Sequence, residues 1–132
     1  MRVAPVLFLA ALLAAAATAA CRAAPRYRRY EVRGDSMLPG LRSGDWVLVD
    51  LRAYALAAPR PGHIVVARDP RDPHLTLVKR VSGLDLHGNT ELRGDNAPAS
   101  TDSRRFGTVS PDQIVGRVRW RYWPLARTGR VG

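Results

Sequence analysis

Short β-branched runs, each closed by turn residues, constrain this chain more than any other feature. Asp45-Trp46-Val47-Leu48-Val49-Asp50, His63-Ile64-Val65-Val66-Ala67 and Leu75-Thr76-Leu77-Val78-Lys79-Arg80-Val81 are too short for independent helices. They are rich in residues that suit a pleated, half-buried surface. Pro-Gly, Ser-Gly, Asp-Pro and Gly-Asn pairs separate them. From Ile114 to Trp123 the chain alternates, with Arg117, Arg119 and Arg121 on one side and Val118, Trp120 and Tyr122 on the other. That predicts a half-buried strand. Beyond the N-terminus only Leu51 to Ala58 and Pro111 to Val115 look helical, and there are no internal repeats. At 132 residues the chain predicts one small, mostly antiparallel β domain with a modest core.

Charge and cysteine content exclude several classes. The net charge of +10 would suit nucleic acid or an anionic membrane. The arginines, however, are scattered along the whole chain without a basic-aromatic array, so no nucleic-acid partner is expected. Cys21 is the single cysteine, which rules out an intrachain disulfide and a cysteine metal cluster. His63, His74 and His87 lack zinc-ligand spacing, so neither a metal nor another cofactor is expected.

The first 21 residues are a separate object. Val3 to Cys21 reads VAPVLFLAALLAAAATAAC, uncharged and about the minimum length of a membrane span. It fits a signal anchor, a cleaved signal peptide with small residues near Ala19-Ala20, or a lipoprotein signal ending at Cys21. Thr18 stands where lipoprotein signals usually carry leucine. Only Arg2 precedes the segment, whereas Arg22, Arg26, Arg28, Arg29 and Arg33 follow it. As an anchor in contact with membrane lipid through residues 3–21, it would leave the rest of the chain on the cytoplasmic side.

Of the 21 basic residues, one alone is a lysine, Lys79. Arginine supplies positive charge but does not lose its proton near neutral pH, whereas a desolvated lysine can. On a strand Lys79 shares its face with Leu75, Leu77 and Val81, an apolar setting that disfavours the ammonium. Its proton chemistry needs a nucleophile to serve. Gly34-Asp35-Ser36-Met37-Leu38-Pro39-Gly40 offers Ser36, in a Gly- and Pro-bounded turn ahead of a strand. Trypsin-like proteases and GDSL-type esterases carry a similar triplet, but both need longer chains. The first also needs a second glycine after the serine, and the second an Asp-x-x-His pair near the C-terminus. Without a suitable histidine, Lys79 remains the candidate base.

Five motifs then occur in a fixed order. They are Ser36-Met37-Leu38-Pro39, Gly44-Asp45-Trp46-Val47-Leu48-Val49, Pro61-Gly62-His63-Ile64-Val65-Val66, Val78-Lys79-Arg80-Val81, and Gly94-Asp95-Asn96 followed by Ser100-Thr101-Asp102-Ser103-Arg104-Arg105-Phe106-Gly107. Together they resemble the signal peptidase I family of Ser/Lys proteases over residues 31–124. The last box and the Arg121 to Pro124 ending are similar to the small branch that matures nickel superoxide dismutase.

The resemblance implies a minimal, LexA-like antiparallel β catalytic core behind an N-terminal hydrophobic helix. It divides the chain into a segment 1–21, a basic linker 22–30, a catalytic domain 31–124 and a flexible tail 125–132. It implies a serine endopeptidase that removes an N-terminal leader from a protein substrate. Ser36 would be the nucleophile and Lys79 the general base, with Ser100 orienting Lys79 and an Asp102–Arg104 ion pair in support. Gly34, Ser36 and Met37 would surround the oxyanion and substrate. Gly34 replaces a serine that helps bind the oxyanion in many leader peptidases, which leaves that duty mainly to the Ser36 N–H. His63 replaces the usual Asp and reads as a surface substitution. The second domain that larger leader peptidases insert after the lysine is missing. Other readings are a general secretory signal peptidase working outside the membrane, and a LexA-like self-cleaving regulator, against which the lack of a preceding helix-turn-helix argues. A third is a non-catalytic, membrane-tethered basic β-barrel that binds anionic lipid or nucleic acid.

Overall fold

Seven strands join in one sheet in the computed structural model, which describes residues 24–132. The expected membrane segment at residues 1–21 lies outside the described residues, as does the start of the basic linker. The strands are β1 (Tyr27–Glu31), β2 (Trp46–Asp50), β3 (Ile64–Asp69), β4 (Asp72–Leu84), β5 (Thr90–Arg93), β6 (Ile114–Trp123) and β7 (Gly129–Arg130). They run in the order β1-β2-β6-β3-β4-β5, all neighbours antiparallel, with β7 paired to β6. A one-turn helix, α1 (Ser103–Phe106), follows β5. The mostly β expectation therefore holds.

β3 explains why the core has two parts. Its Ile-Val-Val-Ala run has no polar alternation, and every one of these residues is buried, as expected of a strand covered on both faces. Ile64 and Val66 pack with Val32, Met37, Leu41, Val47, Val49 and Val118. Val65 and Ala67 pack on the other face with Val81, Leu92 and Val109. Lys79 is the cross-strand partner of Val65 and so belongs to the second face.

Buried aspartates at the two ends of β2 draw in the flanking segments. Asp50 accepts from Arg26 Nε and Nη2 at 3.2 and 3.1 Å. Asp45 pairs with Arg121 at 3.5 Å and also with Arg127. Each carboxylate is buried while its arginines reach solvent, so the pairs tether these segments by compensating a buried charge. The linker thus enters the sheet at Tyr27. Residues 125–132, expected as a flexible tail, instead form a 3-10 turn, add β7 and pack Val131 on the core.

Two local expectations fail for physical reasons. Val118 and Trp120 were expected to share one side of a half-buried strand, but Val118 is buried and Trp120 exposed. The β2–β6 register slips between Leu48 and Val49, so Val118 and Trp120 oppose consecutive residues of β2. A bulge of this kind breaks the period-two pattern. The window Leu51 to Ala58, read as helix-like, forms turns and bends over residues 51–57; the Pro111 window does form a 3-10 turn at Pro111–Gln113.

Candidate active site

Ser36 is held by its backbone. Met37, next in sequence, is 1% exposed and anchors the turn in the first core cluster. The Ser36 carbonyl accepts from the Asn96 N–H at 2.9 Å, and the Asn96 side-chain amide donates to the Asp35 carbonyl at 3.0 Å. Gly34 adopts φ +78°, a left-handed conformation that suits glycine. Its N–H donates to Ser43 Oγ at 3.2 Å. The turn therefore stays fixed while the Ser36 hydroxyl remains on the wall of a cleft.

Lys79 sits on β4 at 4% exposure. Its Nζ donates to Ser100 Oγ at 3.1 Å, and Ser100 Oγ donates to Asp102 Oδ2 at 2.7 Å. Asp102 caps α1 through the Arg104 N–H and receives the Gly94 N–H at 3.0 Å. Arg104 grips the same carboxylate in two-pronged fashion, at 2.9 and 2.6 Å. Arg104 holds the Asp102 carboxyl well below the usual carboxylate range, against the opposing effect of burial. Burial pushes the Lys79 ammonium below its ordinary value; Asp102 pulls it back, while Arg104 and Arg71 push it further down. The Arg104 clamp thus lets a carboxylate orient Ser100 without fixing the charge of Lys79.

Ser36 and Lys79 both line one cleft of about 590 Å³, together with Gly34, Leu75, Leu77 and Thr101. Leu75, expected to help bury Lys79, is 55% exposed there, whereas Leu77 is half-buried and Val81 is buried. The resemblance placed Gly34 and Met37 around the oxyanion. Gly34 does line the cleft, but its N–H is engaged by Ser43, and the Met37 side chain lies in the core. Among the described residues the Ser36 N–H has no acceptor, which leaves it free to donate to a developing oxyanion. From Asp72 to Lys79 one edge of β4 pairs with β3, while β5 pairs only from Arg80 onward. The open edge can receive an extended peptide as an added strand.

The sequence model described as "Signal peptidase, peptidase S26" matches residues 2–85 and 87–123. This chain belongs to the signal peptidase I family. It is 34% identical over 121 residues to mitochondrial ATP-independent inner membrane protease subunit 1b of Arabidopsis thaliana, covering 75% of this chain and 72% of that protein. Identity to mitochondrial inner membrane protease subunit 1 of Homo sapiens is 32% over 115 residues, covering 73% of this chain and 69% of that protein. Signal peptidase IB of Staphylococcus aureus is 24% identical over 149 residues, covering 74% of this chain and 78% of its own. The chain is accordingly a serine-type endopeptidase of the signal peptidase I kind.

Some members of this candidate site carried no assigned role in the sequence. Gly94 packs so tightly that a Cβ there would lie 2.2 Å from Ser100 Oγ and 2.7 Å from the Ser36 carbonyl oxygen. Arg80, beside Lys79, binds Asp95 at 2.8 Å through both prongs and the Gly62 carbonyl at 2.8 Å. The fixed Gly-Asp-Asn box was the available signal for both. Spacing alone did not reveal that the box clamps the serine turn to the lysine strand.

The electrostatics predict a pH effect. Arg104→Gln leaves the Asp102 charge uncompensated beside Ser100 and removes a cation that disfavours the Lys79 ammonium, so the Lys79 pKa rises. The alkaline-going limb of the kcat/KM profile should move to higher pH. Each pH unit of that move costs about tenfold in rate below the limb. Arg104→Lys, which keeps a charge, should restore part of the shift. An unmoved limb in Arg104→Gln would refute the compensation.

Proposed function

We propose that Ser36 is the nucleophile and Lys79 the general base of a leader peptidase, and that its substrate is the precursor of nickel superoxide dismutase. The observation that carries the catalytic part is the Lys79–Ser100–Asp102 chain of hydrogen bonds in the cleft that Ser36 also lines. Neutral Lys79 takes the Ser36 proton as Oγ attacks the scissile carbonyl, and the oxyanion meets the Ser36 N–H. Lys79 then protonates the leaving amine and, after the acyl-enzyme forms, activates the hydrolytic water. Ser100 keeps Nζ aimed at the hydroxyl, while Asp102 and Arg104 fix Ser100. The leader lies extended along the open edge of β4, with small side chains beside the scissile bond.

The superoxide dismutase assignment rests on the Ser100-Thr101-Asp102-Ser103-Arg104 box and the Arg121-Tyr122-Trp123-Pro124 ending. The inner-membrane names of the relatives support membrane attachment, with residues 1–21 as the anchor and residues 31–124 as the catalytic domain. The excess of arginine after that segment supports a cytoplasmic catalytic domain. Incubation of the full chain in detergent with a nickel superoxide dismutase precursor and with a secretory preprotein separates the readings. The expected result is removal of the dismutase leader by the native chain and not by Ser36→Ala. Cleavage of the secretory preprotein with the dismutase precursor left intact would replace this substrate by that of a general signal peptidase.

A further inference from the structure

On the other side of Val65 from Lys79 lies Arg117, paired across the sheet on β6. Its Nε is buried and has no hydrogen-bond partner among the described residues. Arg117, Arg119, Arg60, His63 and Tyr54 line a pocket of about 190 Å³, closed by alanines of the turn after β2. No carboxylate lines it. Asp50 lies 3.5 Å from Arg119 and is also bound by Arg26 at 3.1 Å. His63 is therefore no simple surface substitution. Its Nδ1 accepts from the Tyr54 hydroxyl at 2.9 Å and from the Arg60 N–H at 3.3 Å, an arrangement that assigns the ring proton to Nε2.

We propose that this pocket is a binding site for a phosphate group. Three guanidiniums drawn together repel one another, and a multiply charged anion among them relieves that repulsion. Guanidinium forks match phosphate oxygens in geometry, and such charge-assisted bonds are the strong ones. The donors come from the turn after β2, from the start of β3 and from β6, which suits a tetrahedral acceptor better than a planar carboxylate. The pocket has no part in the cleavage chemistry, so it is an added site on the peptidase. A lipid headgroup and a soluble phosphate share the required chemistry.

Occupancy has a local signature. Burial, followed by Arg117, Arg119 and Arg60, now holds the His63 imidazole below its ordinary pKa. An anion among those arginines must raise it. The test is an NMR titration of the histidines in the full chain held in neutral detergent, with chloride, inorganic phosphate or short-chain phosphatidic acid at equal ionic strength. Exposed His74 and His87 serve as internal references. The expected result is a rise of the His63 pKa by about one unit, roughly a tenfold preference of the anion for the protonated ring, with the references unmoved and the rise lost in Arg117→Gln. If that variant fails to fold, Arg60→Gln, altered at an exposed residue, should weaken the rise. A response to inorganic phosphate identifies a soluble ligand; a response to phosphatidic acid alone identifies a headgroup. The proposal is overturned if His63 moves no more than the references in either case, or if the rise survives the substitutions.

Discussion

Ser36→Ala and Lys79→Arg are each expected to lower leader cleavage by at least about a thousandfold while leaving the sheet intact. Ser36→Ala deletes only the hydroxyl, since the turn is held by the Ser36 carbonyl and by buried Met37. Lys79→Arg keeps a positive charge beside Ser100 but supplies no free base near neutral pH. Arginine is bulkier at a site that is 4% exposed, so Lys79→Met, close to lysine in volume and without a base, provides the cleaner comparison. Single-turnover cleavage of a leader precursor, with thermal unfolding as the check on folding, measures both. Ser100→Ala should leave reduced but measurable cleavage, because Ser100 orients Nζ and does not react. Cleavage by Lys79→Arg at the native rate would contradict the assignment.

Gly94→Ala should cost about a hundredfold in kcat, although the residue has no reactive atom. The added methyl would stand 2.2 Å from Ser100 Oγ, 2.6 Å from Ser100 Cβ and 2.7 Å from the Ser36 carbonyl oxygen. Ser100 Oγ is held between Lys79 and Asp102, and neither Ser100 Cβ nor the Ser36 carbonyl oxygen can move away by side-chain rotation. Relief must come from moving the serine turn away from the strand that carries Lys79, or from turning Ser100 off the lysine. A displacement of about 1 Å at reacting groups can cost about a hundredfold in rate. The overpacking itself should destabilise the fold by about 1–3 kcal/mol. Unfolding and kinetic measurements on the same preparation separate the two effects: kcat should fall even where the protein is fully folded. Native kcat in a folded Gly94→Ala chain would show that the turn and Ser100 do not need their present spacing.

Much of this arrangement was legible because it is written in local pattern. β2, β3, β4 and β6 were visible as apolar or alternating runs bounded by turns. β5 was not, since Thr90-Glu91-Leu92-Arg93 is short and polar and gains its place by pairing with β4. β7 is shorter still, and follows a turn whose Arg127 reaches Asp45, 82 positions away. In the candidate site, the isolated lysine and the serine turn stood out by composition and motif. The clamp between them did not, because Asn96 meets Asp35 across 61 positions and Gly94 matters through what is absent from its side chain. The bulge that exposes Trp120 was equally hidden, since alternation in one strand says nothing about a slip against its neighbour. His63 looked bland for a similar reason: two of its three arginine neighbours, Arg117 and Arg119, come from a distant strand.

Because Lys79 is the single lysine of the chain, its protonation can be read without assignment. Lysine labelled with 15N at Nζ gives one side-chain resonance in the full protein, and its shift against pH reports the Lys79 pKa. Lys79 should titrate well below the ordinary lysine value of about 10.4, matching the limb of the cleavage profile and moving upward in Arg104→Gln. Titration at or above the ordinary value, with full cleavage activity at neutral pH, would contradict Lys79 as the base.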